Sequence, residues 1–146
     1  YESALAIMPQ LAGFVPMLTG TGGNCGSQSS TLVIRGLAVG EIEFRDLLKV
    51  IWKEIRIAVC ISIVLAVVNG LRIMLMGQGD ALMAFTIGLT MACTVVIAKV
   101  VGCTLPLIAK RVGLDPAIMA TPLISTLVDI STISVYFAIV SAVFQL

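Results

Sequence analysis

Four apolar stretches dominate the sequence, and each is long enough to cross a lipid bilayer as a helix. They run from about residue 4 to 36, from 57 to 77, from 81 to 109 and from 116 to 146, whereas a transmembrane helix needs about 20 mostly apolar residues. Charged residues make up 12% of the chain, against roughly 25% in a typical soluble domain. The sequence therefore predicts an all-α membrane protein, a polytopic bundle with four membrane helices.

The segment from residue 40 to 56, GEIEFRDLLKVIWKEIR, joins the first two stretches. Its apolar residues recur at helical spacing with charges between them, which is typical of an amphipathic helix lying in the membrane interface. Trp52 would then lie at the level of the lipid headgroups. We therefore predict a separate interfacial helix here, with its acidic residues as solvated charges: Glu41, Glu43, Asp46 and Glu54.

Basic residues are distributed unevenly over the connections. Of the nine Lys and Arg residues, seven lie at the first or third connection, and only Arg72 lies at the second. Because basic residues concentrate on the cytoplasmic side, this places both ends of the chain outside. We expect a multi-pass protein of a bacterial or archaeal plasma membrane. Tyr1 follows no Met or signal sequence, so we expect a fragment, in which a cytoplasmic N-terminal domain would require one more helix before Tyr1.

The composition argues against several classes of function. A net charge of +1 with no basic patch gives no surface for nucleic acid. The chain has no histidine, which is the usual zinc ligand and general base. The four cysteines lie in apolar segments without CxxC spacing, and we interpret them as small hydrophobic side chains. We therefore do not expect an enzyme.

Asp129 is the one acidic residue that the sequence predicts to lie deep in the membrane. It lies thirteen residues into the last stretch, about 20 Å along a helix. A carboxylate at that depth costs at least about 3 kcal/mol and usually serves a pathway or a partner. Polar residues share its helix face at spacings of three and four: Thr121, Ser125, Thr132 and Tyr136. We predict a cation path along this face, with a structural ion pair between Asp129 and Lys99 as the alternative.

The stretch LTGTGGNCGSQSSTL, residues 18 to 32, places glycines, amides and hydroxyls inside an uncharged apolar segment. Glycines on a membrane helix allow a second backbone to come close. We interpret Gly22 and Gly26 as packing positions. For Asn24, pore lining and packing are equally good interpretations.

Asp115 precedes Pro116 at the start of the last stretch. An acidic residue before proline is typical of a helix N-cap, because its side chain accepts hydrogen bonds from the first free amides. The same carboxylate could attract cations to the cytoplasmic mouth of a pore. Of the two interpretations, we favour the cap.

The number of deep carboxylates, one per chain, favours a divalent cation that is held by two chains. One deep carboxylate cannot neutralise a dication, whereas two related by a two-fold axis can. Magnesium retains several of its waters and is usually bound through one or two carboxylates. We therefore predict a homodimer in which paired Asp129 carboxylates hold hydrated Mg²⁺. Manganese and other divalent cations could use the same oxygen ligands.

Two segments resemble the signature segments of the MgtE family of magnesium channels. They are PMLTGTGGNCGSQSSTLVIRGLA, residues 16 to 38, and GLDPAIMATPLISTLVDISTISVYF, residues 113 to 137. The resemblance implies a homodimer with five membrane helices per subunit, the first of them missing here, and a magnesium pore along the dimer axis. It also implies that the family's cytoplasmic regulatory domains, which close the pore when magnesium is plentiful, are absent from this chain.

The resemblance further implies roles for individual residues. Asp129 would bind the hydrated ion, and the backbone carbonyl of Ser125 would contact its water shell. Asn24 and Thr121 would lie near the pore. The chain has Ser27 and Thr121 at positions where some relatives carry amides, so the polar lining is expected to differ in detail.

The predicted function is magnesium-selective, passive conduction of the hydrated ion across the plasma membrane through a homodimeric pore. The alternative is an exchanger that couples divalent cations to Na⁺ or H⁺, since broken helices with sites near the midplane are typical of secondary transporters. One deep acid per subunit leaves no obvious separate site for a coupling ion, which favours the channel.

Overall fold

Four long helices joined by short connections make up the computed structural model, which describes residues 9–119 and 121–145. These residues contain no β-strand, so the all-α prediction is confirmed. The long helices are α1 (Val15–Ala38), α2 (Leu47–Leu75), α3 (Ala81–Arg111) and α4 (Thr121–Phe144). Short 3-10 helices precede three of them: Pro9–Phe14, Phe44–Asp46 and Pro116–Met119.

Three segments of the described chain are long and apolar enough to cross a membrane: Phe44–Leu75, Ala81–Arg111 and Pro122–Phe144. Helix α1 is not among them, because its glycines, amides and hydroxyls lower its hydropathy. Four long helices are therefore present as predicted, and three of them have the composition of a membrane span.

The structure differs from the predicted helix boundaries in two places. Helix α2 runs from Leu47 to Leu75 without interruption, so residues 47 to 56 of the amphipathic segment form the first turns of a long apolar helix instead of a separate one. No proline lies between these residues to end the helix. The first stretch begins as a 3-10 turn, and α1 starts only at Val15, with a proline in its first turn. Residues 4–8 of the predicted first helix, and residues 120 and 146 of the last, lie outside the described residues.

Glycines end the helices before the second and third connections, and an aspartate starts the helix after the second. Gly77 and Gly113 follow α2 and α3 with φ of 61° and 80°, a left-handed conformation that glycine adopts at little cost and that commonly ends a helix. Asp80 caps α3, where its side chain accepts a hydrogen bond from the Met83 amide at 2.9 Å. The connections are thus determined by short-range chemistry.

Helix α3 lies at the centre of the bundle and packs against α1, α2 and α4. It comes very close to α1, where a Cβ atom at Gly102 would collide with the backbone of Gly26. A Cβ at Gly26 would lie 2.9 Å from Ile124 Cγ2, and one at Gly22 would lie 2.8 Å from Thr94 Cγ2 and from Val128 Cγ1. The interpretation of Gly22 and Gly26 as packing positions is therefore confirmed.

Substituting Gly102 by alanine should destabilise the bundle, because the new methyl group would force the α1 and α3 backbones apart. Overpacking of this kind typically costs about 1–3 kcal/mol. Thermal unfolding of the purified protein in detergent measures the effect. Gly70→Ala is the matched control, since no described atom of another helix lies within 4 Å of a Cβ at that helical position. Equal melting temperatures for the two variants would contradict the close contact.

Candidate functional site

An open groove of about 410 Å³ lies between α1 and the first half of α4. Its α1 side is formed by residues spaced three and four apart, which therefore share one helix face. Its α4 side is formed by two residues one turn apart. The lining residues are Pro16, Thr19, Gly20, Gly23, Asn24 and Ser27 from α1, and Ser125 and Asp129 from α4.

Asp129 is half-buried and borders this groove. Within residues 9–119 and 121–145 its carboxylate has no hydrogen bond and no ion pair. The hydroxyl and amide side chains of Thr19, Asn24, Ser27 and Ser125 share the lining with it. These groups can accept hydrogen bonds from water. The groove therefore combines one negative charge with several polar groups, an arrangement that suits a cation that keeps its water shell.

Lys99 lies elsewhere, so the alternative ion pair with Asp129 is not formed. The Lys99 ammonium is 3.3 Å from Glu54 Oε2, and these side chains are only 2% and 4% exposed. Lys99 also donates to Gln28 Oε1 at 3.1 Å and to Ser29 Oγ at 3.2 Å, while Ser29 Oγ donates to Glu54 Oε2 at 2.5 Å. This buried cluster ties α1, α2 and α3 together.

The expectation that Glu54 is a solvated charge is therefore wrong. It rested on reading residues 40 to 56 as a helix lying in the interface, where acidic residues face water. In the continuous helix α2, Glu54 instead shares a buried face with Ala58 and Ser62. That spacing of four, with small residues that allow a close neighbour, is the signal that could have revealed a position facing the bundle interior.

The polar face predicted along α4 divides between two environments. Ser125 and Asp129 border the groove. Thr132 is 2% exposed, and its Oγ1 would lie 3.2 Å from a Cβ at Gly22, so it packs between helices. Tyr136 is also buried, and its hydroxyl donates to the carbonyl oxygen of Leu11 at 2.8 Å.

The remaining candidate residues have different locations. Asn24 is exposed and lines the groove. Asp115 accepts a hydrogen bond from the Ala117 amide at 2.9 Å, which confirms the favoured interpretation as a cap, and it borders a separate cavity of about 180 Å³. The side chain of Thr121 lies outside the described part of the chain. Sequence reasoning did not single out Thr19 as a lining residue, although its spacing from Pro16 and Ser27 fits the same face.

Comparison with known proteins identifies the family. The family model for MgtE, described as a divalent cation transporter, matches residues 15–139. The chain belongs to the MgtE family. The matched residues include both sides of the groove and the whole of α3.

Three curated proteins with the name magnesium transporter MgtE are similar to the chain. The one from Thermus thermophilus is 35% identical over 143 residues, which is 95% of this chain and 30% of that protein. The one from Bacillus subtilis is 36% identical over 142 residues, covering 97% and 31%. The one from Enterococcus faecalis is 33% identical over 144 residues, covering 97% and 31%. The chain thus spans about 30% of the length of these MgtE relatives.

Removing either charge of the buried cluster should destabilise this MgtE domain, and removing both should destabilise it much less. Glu54→Gln leaves the Lys99 ammonium without a counterion, and Lys99→Met leaves the carboxylate alone. Breaking a buried pair typically costs about 3–5 kcal/mol, whereas replacing both partners is often neutral. We expect each single variant to unfold at a lower temperature in detergent and the double variant to recover most of the loss.

Lys49→Met is the control, because its contact to Asp46 is at the surface, where the Lys49 side chain is 86% exposed. We expect no measurable change for this variant. Additive losses in the double variant would contradict a coupled pair.

Proposed function

We propose that this chain forms the ion-conducting part of a magnesium transporter, with Asp129 as the carboxylate that binds the ion. The observation that carries the proposal is the contrast between two acids. Glu54 is neutralised by Lys99, whereas Asp129, within the described residues, is left with no partner and borders a polar groove. The names of the three relatives support magnesium as the cargo.

The chemistry of the groove suits magnesium that keeps its water shell. Six waters occupy about 180 Å³ at about 30 Å³ each, and the groove measures about 410 Å³. Magnesium loses its waters reluctantly and is commonly bound through one or two carboxylates. Asp129 would accept hydrogen bonds from the ion's waters and supply the attraction. The polar side chains of α1, and the Ser125 backbone carbonyl, would accept the remaining ones.

A second copy of the chain would complete the site. The described residues contain no group of three His, Cys, Asp or Glu side chains that could hold a metal, and one carboxylate leaves a dication half neutralised. The groove is open on one side, where a two-fold partner could contribute its own Asp129. We therefore propose a homodimer in a plasma membrane, with hydrated Mg²⁺ on the axis. Asn24 would line this pore, and Asp115 would remain a cap at its cytoplasmic side.

We favour a channel over an exchanger, because within residues 9–119 and 121–145 no second deep acid without a partner is available for a coupling ion. Since the relatives are about three times as long as this chain, we propose that further domains of such proteins regulate the pore. No catalytic step is proposed.

Neutralising Asp129 should abolish transport without unfolding the protein. Asp129→Asn keeps the size of the side chain and removes the charge that attracts the ion, so we expect magnesium uptake into proteoliposomes to fall more than ten-fold. A magnesium-sensitive dye inside the vesicles reports the flux, and size-exclusion chromatography reports assembly. Glu41→Gln, at an exposed position, removes the same charge and should leave uptake unchanged. Wild-type uptake by correctly inserted Asp129→Asn protein would refute the role of the carboxylate.

The channel and the exchanger differ in what drives the ion. Proteoliposomes with a magnesium gradient, but without a sodium or proton gradient, should accumulate magnesium if the path is passive. The same vesicles with an imposed sodium or pH gradient should show the same initial rate once the membrane potential is clamped. A flux that requires either gradient would favour the exchanger.

A further inference from the structure

Two basic side chains near the start of α2, Lys53 and Arg56, have no acidic partner within the described part of the chain. Both are exposed. The acid between them in sequence, Glu54, is buried and bound to Lys99, so it does not neutralise either one. Among the described residues, these two positive charges are therefore not neutralised and are free to attract an anion.

Two other basic residues on the same segment already have partners. Arg45 Nε lies 2.9 Å from Glu43 Oε2, and Lys49 Nζ lies 3.4 Å from Asp46 Oδ1. The four cations thus divide into an N-terminal pair that is neutralised locally and a second pair that is not. Positive charge that is available to a ligand is therefore concentrated at Lys53 and Arg56 and is not spread over the whole segment.

Lys53 and Arg56 border an open groove of about 430 Å³ whose other lining residues are apolar. These are Ile57, Cys60 and Ile61. The spacing of all five residues by three and four places them on one stripe of α2. Charged groups lie at one end of this groove, and an apolar surface continues from the other end.

The apolar surface extends along the rest of α2, where large hydrophobic side chains are exposed: Ile63, Val64, Val67, Val68, Leu71 and Met74. In a membrane-spanning helix such a surface faces lipid tails. The basic end of the groove is therefore at the level of the headgroups. The distribution of Lys and Arg assigns this level to the cytoplasmic side, where anionic lipids attract basic residues close to the membrane.

We propose that this groove binds one anionic phospholipid. Its phosphate lies between the Lys53 ammonium and the Arg56 guanidinium, and one acyl chain lies along Ile57, Cys60 and Ile61. The charges of the phosphate and of the two side chains are complementary, and the apolar lining matches the hydrocarbon next to it. The site is separate from the Asp129 groove, because the two grooves share no lining residue.

Trp52 provides a built-in reporter, because it is the single tryptophan of the chain, is exposed and lies one helical turn from Arg56. Quenching of its fluorescence by dibrominated phosphatidylglycerol, compared with dibrominated phosphatidylcholine, measures relative binding in reconstituted vesicles. We expect the wild-type protein to prefer phosphatidylglycerol at least five-fold. The double variant Lys53→Gln/Arg56→Gln should reduce this preference to about one.

The matched control is the double variant Arg45→Gln/Lys49→Gln, which removes the same charge from the paired cations and should retain the preference. An equal loss in both double variants would overturn the proposal in favour of unspecific attraction. Inorganic phosphate at millimolar concentration should not compete, and competition would show a bare anion site. A disulfide between two Cys60 residues, formed by mild oxidation in vesicles, would show that a second copy covers the groove and would also overturn it.

Discussion

The buried contact between Lys99 and Glu54 determines how the other helices are arranged. A charge inside a membrane protein is usually either paired or turned toward a water-filled cavity. The Lys99–Glu54 pair is of the first kind and obtains its remaining partners, Gln28 and Ser29, from α1. Three helices are thereby held in one rotational setting. Because Ser27 borders the groove and is adjacent in sequence to Gln28, a rotation of α1 that broke the cluster would also turn the groove residues away from Asp129.

Glycine makes the same arrangement possible at the level of the backbone. The contact between Gly26 and Gly102 brings α1 against α3, which allows a lysine on α3 to reach both α1 and α2. The same stretch of α1 therefore has two faces, one that packs against neighbouring helices and one that borders the polar groove. Glycines at 22 and 26 face the neighbouring helices, while Gly20 and Asn24 border the groove.

Much of this architecture could be predicted from the sequence, because a long apolar stretch can be stable in a membrane only as a helix, and a deep charge must face a partner or a polar cavity. The all-α bundle, the packing glycines and the position of Asp129 on a polar helix face follow from periodicity and depth. The course of α2 was harder to predict. The charged repeat of residues 40 to 56 fits an interfacial helix as well as the start of a long one, and only contact with α3 distinguishes them. Glu54 was misassigned for that reason.

The sequence also could not show which polar residues of α4 border the groove and which are buried. Thr132 and Tyr136 follow Asp129 at helical spacing, but neighbouring elements cover both side chains. Thr132 lies next to Gly22 of α1, and Tyr136 belongs to the buried cluster that includes Leu11. Helical periodicity shows which residues share a face and does not show where a neighbouring helix covers it. Hydroxyls can be buried when a backbone carbonyl accepts their hydrogen bond, as that of Leu11 does for Tyr136, and they are therefore weaker guides to a water-filled path than carboxylates.

The buried pair has a consequence for how this sequence can drift over evolutionary time. A lineage that loses the acid at position 54 keeps an isolated ammonium at position 99, and the reverse change isolates a carboxylate, so each single step is selected against. The two codons are expected to change together or through an intermediate that is neutral at both positions.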